Sequence, residues 1–535
     1  MDTLVTGPLD RSVDRRAFLA RTAALGALGA AGSVALPAVT AATPSAGATT
    51  ADVEPRPEAL TDPAELTVAE AATLIRRGRL RPETLVEAYL DRIAAHDGTY
   101  QAFNLVRAER ALAEARAAGT RGRGALAGIP LAIKDNYFTE GTLTTANSLL
   151  LRDFVPPYDA TSVARLTAAG AIVLGKTQMG PLATTRATTP DGRVTTVNAW
   201  APTRPEVNPG GSSTGTATAV AARLAASGTG TQTGGSITAP SNAQNLTGLK
   251  PTMGRVSLYG IVPLTYTRDH PGPLARDALD AAILLRAMAG PDSHDPRTQG
   301  LPGVPDLVRA ATPVRQRGRV RLRWPTRIGV IPGYAQGGSE SAAARAAFLD
   351  TLAGIPGATV VDVPLPAEWE LLTGSAFNNV RLPERSEPFL PQLRTDLRGF
   401  GVSVLGWLQG ALLGADEYVL GQRAKLLLLE RVLGDLFARC DVVVQTGPVP
   451  FDILGLPELA LPIGFSADGL PLGTILGGLP FGEDRLLSVA AAYQAVTGWH
   501  LRRPADPAPR RAAALARTAP AAHRLDAVEA AETTQ

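Results

Sequence analysis

The sequence predicts an α/β protein with a layered core of strands and helices that alternate along the chain. From Gly128 onward, short apolar runs such as Ile129–Ile133 and Ala171–Leu174 alternate with glycine-rich turns and helical patches. Hydrophobic residues make up 45% of the 535 residues and charged residues 19%. This composition allows a large buried core and excludes a coiled coil or a wholly disordered chain.

Helices are predicted before, within and after this alternating region. Val68, Ala71, Ala72 and Ile75 recur at helical spacing until Gly78, and a second helix begins near Pro82. Further helices are predicted at Ala160–Ala169, Gly215–Ala226, Ala275–Met288, Val402–Leu413 and Ala424–Phe437, and a further strand at Ile261–Leu264. We find no internal repeat.

The first 42 residues are predicted to form an export signal of the twin-arginine type. Arg15 and Arg16 precede an Ala/Gly-rich apolar stretch that is too short and too weak for a stable membrane span, and small residues follow at 38–42. Residues 43–62 are predicted to be an Ala/Pro/Thr-rich linker, 63–504 the folded domain and 505–535 a mobile tail. We therefore expect a secreted or cell-envelope protein that the twin-arginine machinery exports in folded form.

The charges and the single cysteine limit the possible partners. The 52 basic and 49 acidic residues give a net charge of +3 with no concentrated basic stripe, so no nucleic-acid partner is expected. Cys440 cannot form an intrachain disulfide and is predicted to be a buried structural thiol. No cluster of His, Cys or Asp has metal-ligand spacing.

Lysine is rare in this chain, and Lys134 is a candidate general base. Of the 52 basic residues only four are lysine: Lys134, Lys176, Lys250 and Lys425. Arginine cannot lose its proton in a protein, whereas a buried lysine can become a neutral base. Because Lys134 follows the apolar run Ile129–Ile133, we expect it at a buried strand end, where it could act as a general base.

Two glycine-rich loops contain serines. Ser212 and Ser213 lie in Pro-Gly-Gly-Ser-Ser-Thr-Gly at 209–215, and Ser236 lies in Gly-Thr-Gln-Thr-Gly-Gly-Ser-Ile at 230–237. A glycine-rich backbone can aim several N–H groups at one point, which stabilises the oxyanion of acyl transfer. A serine nucleophile also needs a base, and none of the five histidines lies beside these loops in sequence.

Together these residues resemble the amidase signature family. Lys134, Gly-Gly-Ser-Ser at 210–213 and Gly-Gly-Ser-Ile at 234–237 match its motifs, as do Gly-Leu-Lys-Pro-Thr-Met-Gly-Arg at 248–255 and Gly-Pro-Leu-Ala-Arg at 272–276. The resemblance implies the amidase signature fold, a large mixed β-sheet between layers of α-helices. It also implies that 63–504 is a catalytic domain, an amidase that hydrolyses linear amides.

The resemblance further implies a role for each residue of the two loops. Ser236 would be the nucleophile, Ser212, on a cis peptide after Gly211, would bridge it to the base Lys134, and Ser213 would orient Lys134. The N–H groups of Thr233, Gly234, Gly235 and Ser236 would form the oxyanion hole. An acyl-enzyme would form with release of amine or ammonia, and water would hydrolyse it. The resemblance implies no metal and no organic cofactor.

Two positions depart from the family pattern. Gln232 stands where the family usually has Asp, and Thr238 stands where it usually has Arg. Removing both members of an ion pair avoids the large cost of leaving one charge buried alone. We expect a neutral hydrogen-bonded replacement.

Three alternatives remain open. Gly-Ser-Ser-Thr-Gly at 211–215 formally fits the nucleophile elbow of α/β-hydrolases with Ser213 as nucleophile, although the preceding segment is broken by prolines. The chain could be a non-catalytic binding protein on the same scaffold. An amine could also intercept the acyl-enzyme, so that the protein forms amides.

The substrate is expected to be either a small-molecule amide with an apolar or aromatic acyl group or a peptide amide. Apolar side chains of the region 367–438 are expected to line the acyl pocket: Phe377, Phe389, Phe400, Val404, Leu405 and Trp407.

Overall fold

The computed structural model describes residues 52–119, 124–374 and 381–508. The predicted signal at 1–42 and most of the predicted tail lie outside these ranges. Within them, strands β1 to β13 are, in order, Phe103–Val106, Pro130–Lys134, Ile172–Thr177, Ser227–Gln232, Thr247–Lys250, His270–Ala275, Val314–Gln316, Arg319–Arg321, Thr326–Val330, Ala358–Asp362, Val442–Gln445, Glu458–Phe465 and Pro471–Gly478.

One large mixed sheet forms the centre of the protein. Its strand order is β1-β3-β2-β4-β6-β5-β12-β13-β11-β9-β10, and β7 and β8 form a separate hairpin. β3, β2 and β4 are parallel neighbours, and so are β11, β9 and β10, whereas the other pairings are antiparallel. The carboxyl ends of β3, β2 and β4 therefore meet at one edge of the sheet.

Helices flank this sheet. In order, α1 to α16 are Val68–Arg76, Pro82–Tyr100, Ala108–Ala118, Thr161–Ala168, Thr214–Ala221, Thr238–Ala243, Ala278–Met288, Leu307–Ala310, Glu340–Ala353, Trp369–Thr373, Arg381–Ser386, Leu390–Thr395, Val404–Leu412, Ala415–Arg431, Phe451–Leu454 and Glu483–Gln494. The predicted α/β class and the mixed sheet between helices are confirmed. No helix in the described ranges is long and apolar enough to cross a bilayer.

A local capping box and a carboxyl group from a distant helix fix the start of α1. Thr67 and Glu70 form a capping box at the start of α1. Asp280 of α7 accepts hydrogen bonds from the backbone of Val68 and Ala69, at 2.8 and 3.0 Å. A carboxylate here satisfies two N–H groups that a helix start leaves unpaired, which fixes α1 on α7.

The prediction of a strand at Ile261–Leu264 is wrong. That segment makes a single bridge, between Tyr137 and Ile261, and otherwise runs as a loop. Conversely, the central strand β4 has the sequence Ser-Gly-Thr-Gly-Thr-Gln and was not predicted. The strand has too few apolar residues to show a strand pattern in the sequence. A methyl group at Gly228 would lie 2.5 Å from the carbonyl oxygen of Ala132. Glycine here allows the close backbone approach between β4 and β2.

The described ends of the predicted linker and tail contact the main domain. Arg56 forms an ion pair with Glu70 at 2.8 Å, and Ala59 is fully buried. At the other end, Asp506 pairs with Arg92 of α2. The predicted structural role of Cys440 agrees with its position, because the thiol is buried and burial raises its pKa to about 11.

Candidate active site

Lys134 is the last residue of β2 and is fully buried. Its Nζ lies 2.9 Å from Ser212 Oγ, 2.8 Å from Thr231 Oγ1 and 3.3 Å from the Thr231 carbonyl oxygen. Burial lowers the pKa of Lys134 to about 7, against a smaller opposing effect of the Asp269 carboxylate. A substantial fraction of this amine is therefore neutral near pH 7.

The two other fully buried lysines have a different environment. Lys176 and Lys250 are also fully buried, but Lys176 lies 3.5 Å from Asp135 and Lys250 lies 3.8 Å from Glu458. Among the described residues, no carboxylate lies within ion-pair distance of Lys134. Buried charges normally require such a partner, so Lys134 is suited to a neutral state.

Ser212 is positioned by the loop between β3 and α5. The Gly211–Ser212 peptide is cis, as the resemblance implied. The Ser212 carbonyl accepts a 3.2 Å hydrogen bond from the Gly180 N–H, and the Gly215 N–H donates to the Gln178 carbonyl at 2.8 Å. Since Gln178 directly follows β3, these contacts bring the serine loop to the same sheet edge as Lys134.

Residues 233–236, here called the oxyanion loop, follow β4 at this edge. Gly235 has a φ of +107°, a conformation that side chains disfavour, and Gly234 is exposed while Ser236 is half-buried. In the described part of the chain, none of the N–H groups of Thr233, Gly234, Gly235 and Ser236 donates a hydrogen bond. The loop therefore offers unpaired donors beside the Ser236 hydroxyl.

The side chains at the two departures from the family pattern, both neutral, form one hydrogen-bonded network. The side-chain oxygen of Gln232, Oε1, accepts hydrogen bonds from the N–H groups of Ile237 and Thr238, both at 3.0 Å, and from the Thr238 hydroxyl at 3.2 Å. Gln232 Nε2 donates to Glu458 at 2.6 Å. The expected hydrogen-bonded replacement is confirmed, and it holds the chain directly after Ser236.

Two expected contacts are not formed. Ser213 was expected to orient Lys134, but its hydroxyl donates to the Thr231 carbonyl at 3.4 Å. The reason is that Ser212 and the two oxygens of Thr231 already surround the Lys134 Nζ, which can form three hydrogen bonds. The Ser236 hydroxyl makes no hydrogen bond to Ser212 or to any other described residue, so only the Lys134–Ser212 half of the predicted relay is assembled.

Sequence reasoning missed the residues that orient the amine. Thr231 supplies two of the three oxygens around Lys134 Nζ, and Asn136 donates to the Thr231 hydroxyl at 3.1 Å. Alternation along β4 was the available signal, since Thr229 and Thr231 are two residues apart and share one face. The Thr229 hydroxyl accepts from the Lys134 N–H at 3.1 Å.

Charged side chains lie beside the oxyanion loop. A methyl group at Gly234 would lie 3.6 Å from Arg381 Nη1 and 3.8 Å from Asp452 Oδ2. Asp452 is buried and pairs with Arg268 at 2.9 Å. Arg385, on the same helix as Arg381, lies over the Trp407 ring, 5.6 Å from its centre. An approaching ligand thus meets polar groups at this loop.

The aromatic residues expected to line an acyl pocket are largely interior. Phe389, Phe400 and Trp407 are buried and pack on one another, with ring centres 5.1 to 6.2 Å apart. Leu405 is 51% exposed, and Phe377 lies outside the described residues. Mutual packing satisfies these rings as core, so they give no support to an aromatic acyl pocket.

Comparison with known proteins agrees with this geometry. The Amidase family matches residues 84–445. A glutamyl-tRNA(Gln) amidotransferase subunit from Moorella thermoacetica is 36% identical over 491 residues, 82% of this chain and 98% of that protein. The corresponding protein from Roseiflexus castenholzii is 37% identical over 492 residues, 82% and 97% respectively.

A solved structure gives the same result. The peptide amidase from Stenotrophomonas maltophilia superposes with a TM-score of 0.71 at 30% identity, over 83% of this chain and 98% of that one. The chain belongs to the amidase family and is an enzyme that acts on the carbon–nitrogen bond of amides.

Proposed function

We propose that this enzyme hydrolyses a carboxamide through an acyl-enzyme on Ser236, with Ser212 as proton relay and Lys134 as base. The observation that carries the proposal is the fully buried Lys134 amine, 2.9 Å from Ser212 Oγ, with a pKa lowered to about 7. Such a pKa is near the optimum for a general base at neutral pH.

The contacts of the amine define the direction of proton transfer. In neutral Lys134, the two N–H bonds donate to the hydroxyl and carbonyl oxygens of Thr231. The nitrogen lone pair then faces Ser212, whose hydroxyl donates to it. Ser212 passes its proton to Lys134 as it receives that of Ser236, and the Ser236 oxygen attacks the amide carbon.

The oxyanion loop supports the remaining steps. Its unpaired N–H groups at 233–236 would bind the carbonyl oxygen as it gains charge, and each such donor contributes about 2.7–4 kcal/mol in known enzymes. The proton returns through Ser212 to the leaving nitrogen as the C–N bond breaks. Water then repeats the attack, which yields the carboxylate and restores Ser236.

For the substrate we propose an amino-acid or peptide amide. Arg381 lies beside Gly234, and a peptide backbone offers carbonyl groups to which an arginine side chain donates hydrogen bonds. The likeness to a peptide amidase also supports this choice. The sequence also predicted an amide with an apolar or aromatic acyl group. That alternative has weaker support, because Phe389, Phe400 and Trp407 pack on one another.

Amide transfer is the second candidate. It is favoured by the relatives named as subunits of an amidotransferase. In that case a nitrogen nucleophile would take the place of water at the acyl-enzyme.

We also propose that the enzyme is exported by the twin-arginine machinery. The motif around Arg15 and Arg16 supports export. Export would separate the enzyme from transfer RNA, which favours a small amide or peptide as substrate.

Covalent trapping tests the nucleophile and the base. The full chain reacted with a fluorophosphonate should carry its adduct on Ser236 by peptide mass spectrometry. Lys134→Met should slow the reaction at least about 100-fold, since loss of a general base costs about 10²–10⁴. Ser466→Ala, in the distant β12–β13 turn, is the matched serine control. An adduct on Ser213 would instead favour the α/β-hydrolase mechanism.

The pH dependence follows from the lowered pKa of Lys134. The protonated amine cannot accept a proton, so kcat/KM should fall about tenfold per pH unit below pH 7 and level off above pH 8. The measurement is a pH–rate profile with one amide substrate. A plateau that extends unchanged down to pH 5 would exclude Lys134 as the base.

Arg381→Met tests the substrate class. Wild-type enzyme should prefer a dipeptide amide to 4-phenylbutyramide, and the variant should lose about 10- to 100-fold in kcat/KM for the dipeptide amide, mainly through KM. Arg398→Met, at an exposed arginine, is the control. A wild-type preference for 4-phenylbutyramide would refute the substrate proposal. In added hydroxylamine, hydroxamate in large excess over carboxylate would favour the second candidate, and carboxylate as the main product would favour hydrolysis.

Export is tested by cell fractionation. The wild-type chain should appear outside the cytoplasm, and Arg15→Lys with Arg16→Lys should retain it inside. Equal distribution of both chains would contradict twin-arginine export.

A further inference from the structure

The oxyanion loop is tied to a neighbouring loop by its first side chain. The Thr233 hydroxyl donates a short hydrogen bond to Oδ1 of Asp269, the residue that directly precedes β6. Asp269 is buried, with 6% of its surface exposed. The bond links the two chain segments that adjoin the paired strand residues Gln232 and His270.

Asp269 is itself held in a fixed position. Its second oxygen, Oδ2, accepts from the N–H groups of Leu264 and Thr265 at 2.7 and 3.0 Å. Both oxygens thus accept hydrogen bonds, and the two N–H donors cannot act as acceptors in return, which fits the carboxylate form. Three hydrogen bonds on a buried carboxylate leave it little freedom to move.

The loop that bears Asp269 is also held from its outer side. Glu384 of α11 accepts from the Thr267 N–H at 2.8 Å and from the Thr267 hydroxyl at 2.9 Å. Lys425 of α14 donates to the Thr267 carbonyl at 3.1 Å. Asp269 therefore connects the oxyanion loop to a segment anchored on two helices.

The Asp269 carboxylate also acts on the base. Its negative charge raises the pKa of both Lys134 and Arg385. Among the described residues, it is the charged group that opposes the effect of burial on Lys134. The same side chain is thus linked to the oxyanion loop by a hydrogen bond and to the base by charge.

We propose that Asp269 is a positioning residue: through Thr233 it holds the N–H groups of the oxyanion loop where the amide oxygen gains charge. This rests on the proposed function of the loop. A donor displaced by even a fraction of an ångström loses much of its effect on the transition state, whereas ground-state binding changes little.

Paired substitutions at Thr233 test the role of the hydrogen bond between Thr233 and Asp269. Thr233→Val removes the hydroxyl at nearly constant volume, and Thr233→Ser keeps it. Fluorophosphonate labelling of Thr233→Val should slow about 10- to 100-fold, while Thr233→Ser should stay within about threefold of wild type. With an amide substrate, the loss should appear in kcat. Crystal structures of the variants should show residues 233–236 displaced in Thr233→Val alone.

Asp269→Asn should change the pH dependence of labelling, which a purely structural role of Asp269 would not do. Without the negative charge, the pKa of Lys134 should fall. The pH at which the labelling rate begins to decrease should therefore be about one unit lower than in wild type. Thr233→Val keeps the charge, and in this variant that pH should stay as in wild type.

The outcomes separate this proposal from the function it rests on. A Thr233→Val loop in its wild-type position, or a labelling rate unchanged by that variant, overturns the positioning role while Ser236 remains the nucleophile. If wild type is not labelled at all, the proposed function fails. The crystal structures then test the positioning role by themselves, through the displacement of residues 233–236 in Thr233→Val.

Discussion

The buried amine of Lys134 is the constraint on which the rest of the site depends. A charge in this position would need a partner, and the described structure places no carboxylate within ion-pair distance. The neutral amine avoids that cost, and Thr231 holds it by two oxygens. This arrangement requires β2 and β4 to be adjacent and parallel, which places the end of each strand at one edge of the sheet.

The contrast with the other buried lysines separates structural from chemical roles. Lys176 and Lys250 have nearby carboxylates, and both also donate to backbone carbonyls. Those networks join strands and loops beneath the site. Lys134 instead contacts two hydroxyls and one carbonyl, none of them charged. The difference lies in the partners, since all three side chains are equally buried.

The helices at 381–431 connect the substrate side of the site to its supporting side. Arg381 lies beside Gly234, and Glu384, one turn further along α11, holds Thr267. Tyr418 and Gln422 of α14 in turn donate to Glu384, at 2.8 and 3.3 Å. A short helix thus presents a cation to the oxyanion loop while it stabilises the loop behind it.

The sequence by itself determined the α/β class, the buried position of Lys134 at a strand end and the neutral Gln232–Thr238 pair, because these depend on residue type and order along the chain. It misplaced the contact of Ser213 and missed β4, Thr231 and Asp269. Thr231 was missed because a Gly/Ser/Thr-rich strand has no apolar pattern, and Asp269 because its partner Thr233 is 36 residues away. Only the tertiary structure brings such distant segments together, since strand pairing decides which hydroxyls and carboxylates surround a buried amine.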